Sequence, residues 1–133
     1  MQWAHLIFGI LLFVVFAITG QYMRADFPDK DVMDPMLRVL TRSRHIYILF
    51  SAFLHILLGV YFRFSTRKWQ HTFQFAGSAL LFASSYILVR AWYTETYTYQ
   101  TFSELSRWGI YLSLAGTALH LIGGVRGRFG RNA

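Results

Sequence analysis

Four apolar runs constrain this chain more than any other feature: Trp3 to Tyr22, His45 to Phe62, Thr72 to Val89 and Trp108 to Val125. Each covers about 18 to 20 residues, near the length that crosses a hydrocarbon layer of roughly 30 Å. In lipid a backbone must pair its N–H and C=O groups within the segment, so runs of this length read as helices. Strands of a membrane barrel would instead alternate over about ten residues. The chain has 133 residues, 55 % of them hydrophobic and 14 % charged. A chain this short cannot bury so much apolar surface in a water-facing globule. The expected fold is all-α, an integral membrane four-helix up-down bundle forming a single transmembrane domain over residues 1–133, with helices at about 3–22, 45–62, 72–89 and 108–125.

Aromatic residues stand at the ends of the runs, among them Trp3, Tyr22, Tyr61, Trp69, Trp92 and Trp108. This is the belt that amphipathic rings form at a membrane surface. The net charge of +7 does not point to nucleic acid, because the arginines sit at the ends of the apolar runs and are not spread over one face. The first run lacks a basic leading region and a small-residue cleavage site, so it reads as a span and not as a removed leader. One side of the bundle carries the N-terminus, the Arg63–His71 turn and the C-terminal tail; it holds six Lys and Arg and no acid. The other side carries seven basic residues and all six acids. The purely basic side with its short turn is assigned to the cytoplasm, which puts both termini there and the protein in a bacterial inner membrane.

Two loops join the runs on the mixed-charge side. In the first, Asp34 before Pro35 is the pattern of an N-cap and first helical residue, predicting a short surface helix at 35–41. Asp29, Asp31 and Asp34 lack the glycine and terminal glutamate of a calcium loop and read as solvated residues plus a cap. In the second loop, Thr101 and Glu104 have the spacing of a capping box for the fourth helix.

In a membrane, helices associate where small residues allow close approach and polar side chains find partners. Stripes of this kind run through His5 and Gly9, through Ser51, His55 and Gly59, through Gly77, Ser78, Ser84 and Ser85, and through Ser113, Gly116, His120 and Gly123. His5, His55 and His120 therefore face the interior, whereas His45 and His71 lie at span ends and face headgroups and water. At about 1.5 Å per residue, His55 lies roughly 12 Å and His120 roughly 9 Å from the basic side, with His5 shallower at about 3 Å.

A matched pair of interior histidines on two helices is the pattern of a bis-histidine haem b. His55 and His120 are the candidate axial ligands, with Arg63 and Arg126 as candidate partners for the propionates. Ser51, Thr117 or a helix carbonyl would accept from the second ring nitrogens, and Gly59, Gly116, Gly123 and Gly124 would leave room for the ring. The function expected on this basis is a haem-binding electron-transfer subunit that passes electrons to a quinone or a larger complex. The alternatives are a non-catalytic accessory or assembly subunit of a larger membrane complex, and a small oligomeric channel. An interior histidine is also a candidate for a proton or ion path. The expected partners are the bilayer, other membrane subunits or further copies of the chain. No serine has a carboxylate to orient a histidine, so no independent catalytic constellation is expected. The depth difference between His5 and His55 argues against a zinc site.

Overall fold

Asp34 sets the start of the second helix. Its carboxylate accepts from the backbone N–H of Met36 at 2.8 Å and of Leu37 at 3.1 Å, and Pro35 occupies the first turn, where no N–H is needed. The computed structural model describes residues 2–26, 32–95 and 103–129, with side chains for 2–25, 32–95 and 103–124. It contains four helices: α1 (Gln2–Asp26), α2 (Pro35–Tyr61), α3 (Lys68–Glu95) and α4 (Glu104–Phe129). The described residues include no strand. Asp29 and Asp31 lie outside the described residues, as does Thr101.

The helices are longer than the apolar runs. The surface helix expected at 35–41 is not separate: it is the first turns of α2, which continues through Thr41, Arg42, Ser43 and Arg44 into the apolar run. Nothing in that polar stretch breaks a helix. Thr41 and Arg44 are buried, so the stretch is held by packing and not by apolar periodicity. α2 ends at Phe62, whose backbone is extended and whose N–H bonds the Leu58 carbonyl at 3.2 Å. The turn that follows is tied down by Ser65, which donates its N–H to Gln74 Oε1 at 2.9 Å and its hydroxyl to Gln70. Gln2 donates to the Phe62 carbonyl and so pins the start of α1 to the end of α2.

The four helices form two closely packed antiparallel hairpins, α1 with α2 and α3 with α4, joined mainly through α2 against α3. Glycine sets both seams. A Cβ at Gly59 would lie 2.6 Å from the Leu6 backbone nitrogen, and one at Gly9 2.8 Å from that of Ile56. Across the second seam, a Cβ at Gly77 would meet the Gly116 carbonyl at 2.8 Å, and one at Gly116 would meet the Gly77 carbonyl at 2.9 Å. Only hydrogen fits at such approaches. The core between the hairpins holds Ile48, Ala52, Leu81 and Leu88. Leu, Ile, Val and Phe residues on the outer faces, such as Ile7, Ile18, Phe53, Leu57, Phe75 and Leu121, are largely exposed. α1, α2 and α3 are each long and apolar enough to cross a membrane by length and composition.

At the end with the inter-helix loops, the start of α4 is capped from a distance. The Glu95 carboxylate, at the end of α3, accepts from Leu105 N at 3.0 Å, Ser106 N at 3.3 Å and Ser106 Oγ at 2.9 Å, and from the Ser103 hydroxyl. Some group must satisfy these N–H groups, and Thr101 of the expected Thr101–Glu104 box lies outside the described residues. A carboxylate from the neighbouring helix satisfies them, and its negative charge lies where the helix dipole favours it. Arg44 of α2 reaches the same corner, donating to the Glu95 carbonyl and to Ser103 Oγ at 3.4 Å.

Candidate functional site: a buried histidine–serine chain

His5, His55 and His120 meet in the interior, and His5 is the link. His5 Nδ1 lies 2.7 Å from His55 Nδ1, and His5 Nε2 lies 2.9 Å from Ser78 Oγ. Ser78 Oγ is 3.1 Å from His120 Nε2, and His55 Nε2 is 3.1 Å from Ser85 Oγ. His5 and His55 have no exposed surface and His120 has 5 %. The Phe82 ring stacks on His5 with centroids 4.8 Å apart and lies 4.7 Å from His55, while Phe8 packs edge-on against His55.

The local sequence explains each placement. Gly9 and Gly59 bring α1 and α2 close enough for two imidazoles to touch. Ser78 and Ser85 lie seven positions apart, two turns along one face of α3, and supply one hydroxyl to each end of the histidine pair. Gly77 gives His120 its place: a Cβ there would come within 2.9 Å of the His120 ring.

Hydrogen-bond chemistry orders the chain. Ser85 Oγ is 2.9 Å from the Leu81 carbonyl, which can only accept, so its proton is committed there. Ser85 must then accept from His55 Nε2–H. In a neutral ring His55 Nδ1 is consequently a lone pair, and it accepts from His5 Nδ1–H. His5 Nε2 is left as an acceptor for the Ser78 hydroxyl, whose oxygen accepts in turn from His120 Nε2–H. Neutral rings satisfy every bond in this one arrangement only, with all donors pointing from His120 toward Leu81. The remaining atom, His120 Nδ1, is a lone pair, and it is buried without a partner among the described residues.

The placement of His5 differs from the sequence-based expectation. Depth counted from chain ends set His5 well above His55, but a helix that starts at Gln2 and leans on Gly59 puts the His5 ring against His55. His45 also differs. It is buried, donates through Nε2 to the Phe16 carbonyl at 2.9 Å and stacks on the Phe16 ring at 4.1 Å, instead of facing headgroups. The cause is the extension of α2, which makes His45 a mid-helix residue. His71 is exposed at the start of α3, as its position at a run's end implied.

His55 and His120 as packed do not fit a haem between them. A macrocycle needs an open slot between its two axial rings, and here His5 and Phe82 occupy that space. Both His55 nitrogens are engaged, one by His5 and one by Ser85. The neighbouring glycines Gly59, Gly116 and Gly123 are filled by the facing helix, leaving open space at Gly124 alone of the four. Arg63 is exposed, and the side chain of Arg126 lies outside the described residues. Ser51 and Thr117, expected to orient the rings, do not; Ser85 and Ser78 take those roles, and Thr117 bonds the Ser113 carbonyl at 2.8 Å. Among the described residues no group of three or more His, Asp and Glu could hold a metal ion. What this arrangement can do chemically is accept a proton at one end and shift it along the chain. No protein-family model, no curated protein and no solved structure matches this chain.

Proposed function

We propose that this chain is a small integral membrane protein, a four-helix up-down bundle with both termini on the cytoplasmic side, that relays a proton through its interior. The observation that carries the reading is the single donor direction of the chain His120–Ser78–His5–His55–Ser85, ending in the unpartnered His120 Nδ1. A proton added at His120 Nδ1 lets its Nε2 proton pass to Ser78 Oγ while the Ser78 proton passes to His5 Nε2. The His5 Nδ1 proton then moves to His55 Nδ1. The net result is one positive charge transferred from His120 to His55, with His5 and His120 each left neutral in the other tautomer. The hydroxyls of Ser51, Ser84 and Ser113 are also buried, on stretches of α2, α3 and α4 nearer the loop end. Interior ionisable groups in a lipid-facing bundle are costly, which favours a working role for three of them in contact.

The test is proton flux into vesicles that contain a trapped pH dye, driven by a potassium diffusion potential. Flux in the native protein that is lost in His5→Leu and in His120→Leu, and kept in His71→Ala, is the expected result. Native protein that moves no protons overturns the relay. In that case a reduced-minus-oxidised spectrum decides between the remaining readings. A b-type α-band lost on His55→Ala would favour a haem subunit whose helices open around the cofactor; a colourless protein would favour an accessory subunit.

A further inference from the structure

Two buried polar nitrogens on the α3–α4 seam have no partner among the described residues: Gln70 Nε2 and His120 Nδ1. One is a donor. The other, by the hydrogen-bond order derived above, is an acceptor. The other side-chain polar atoms of Gln70 and Gln74 are engaged: Gln74 Nε2 donates to the Gly123 carbonyl at 3.1 Å, and the Gln70 and Gln74 carbonyl oxygens accept from Ser65. A water molecule carries both complementary functions, and buried polar groups without protein partners are where ordered water is held. Gly124 lies four positions, about one turn, past His120 on α4 and has room beside it. A Cβ at Gly124 would meet one atom, Phe62 Cε2 at 3.9 Å, whereas at Gly123 it would collide with the Gln74 side chain at 2.7 Å. Gly124 and Phe62 are both half-buried, and the Phe62 ring stands edge-on to His120 with centroids 4.6 Å apart. Phe62 thus lies against both Gly124 and the His120 ring.

We infer that water enters at a notch between Gly124 and Phe62, is held by the Gln70 amide, and delivers the proton to His120 Nδ1. The substrate of this mouth is a protonated water molecule, and Phe62 is the residue that gates it. The identity of the mouth rests on the relay reading for its purpose, but its existence can be tested separately. Gly124→Leu fills the notch, and the open space there accommodates the added side chain; Phe62→Ala removes the cover. Proton flux should fall in Gly124→Leu and rise in Phe62→Ala, with Gln70→Leu lowered. If His120→Leu stops flux and Gly124→Leu runs at the native rate, the mouth is elsewhere and the relay still stands. A second readout holds even where the native protein moves no protons. Diethyl pyrocarbonate applied to the protein in nanodiscs modifies accessible imidazoles, and mass spectrometry localises the adduct. His120 should react faster in Phe62→Ala than in native protein and slower in Gly124→Leu. Equal rates in all three overturn the inference.

Discussion

At the scale of single residues, the order of the chain depends on one serine. Ser85 commits its proton to the Leu81 carbonyl, and that commitment fixes the tautomer of three histidines in sequence. The expected pattern is specific: His55 and His120 protonated at Nε2, His5 at Nδ1. Nitrogen-15 spectra of histidine-labelled protein distinguish the two tautomers, and a His5 found protonated at Nε2 would contradict the derivation. Ser85→Ala removes the acceptor of His55 Nε2–H and leaves that donor buried. A loss of about 1–3 kcal/mol of stability is expected, together with mixed tautomers at His5 and His55, read by denaturant unfolding and by the same spectra. The interior position of the three histidines was legible from their place on small-residue stripes. Their connectivity was not. It depends on the position of the His5 ring relative to His55, which a count of residues from the basic ends of the apolar runs misjudges when helices extend past those runs. The two serine partners were visible as members of the α3 stripe, but nothing in the spacing alone said that they, and not Ser51 or Thr117, would face the rings.

At the scale of elements, the number of helices could be read from the chain because an apolar run of span length has few alternatives. Their ends could be read only where a capping residue marks them. Asp34–Pro35 marks the start of α2 in sequence and in structure. The start of α4 is set by Glu95, nine positions before Glu104, and no local pattern reveals a cap delivered from another helix. Glu95→Ala should cost about 1–2 kcal/mol through loss of that cap, with Glu95→Gln recovering part of it because an amide oxygen still accepts. The seams make a sharper contrast. Gly116→Leu drives a side chain into the Gly77 carbonyl and the Leu81 side chain, and should destabilise the α3–α4 hairpin by about 3 kcal/mol. Gly124→Ala, one more small-residue site on the same helix, meets only Phe62 at van der Waals distance and should be near neutral. Thermal unfolding in detergent compares the two. Equal effects would mean that the stripe of α4 packs as a whole and not at its first glycine.

For the whole molecule, the arrangement of helices puts the start of α1, the α2–α3 turn and the end of α4 at one end, and the start of α2 and of α4 at the other. The histidine chain is not central along this axis: His5 is one turn from the start of α1, and Gln2 bonds the last residue before the turn. A relay entered at Gly124 therefore takes its proton from the end that carries the purely basic loops. Which compartment that end faces decides the direction of use. The chain contains no cysteine, so single substitutions report without background. Thr66→Cys lies in the α2–α3 turn and Val32→Cys before the start of α2; both positions are exposed. In intact cells an impermeant maleimide should label Val32→Cys and spare Thr66→Cys, and disrupting the membrane should make both react. The reverse pattern would place the mouth of the relay outside, so that protons enter from the exterior, reach His120 first and pass from there to His55. Labelling of both positions in intact cells would contradict a spanning bundle altogether, because the two sites lie at opposite ends of a helix of 27 residues, about 40 Å long.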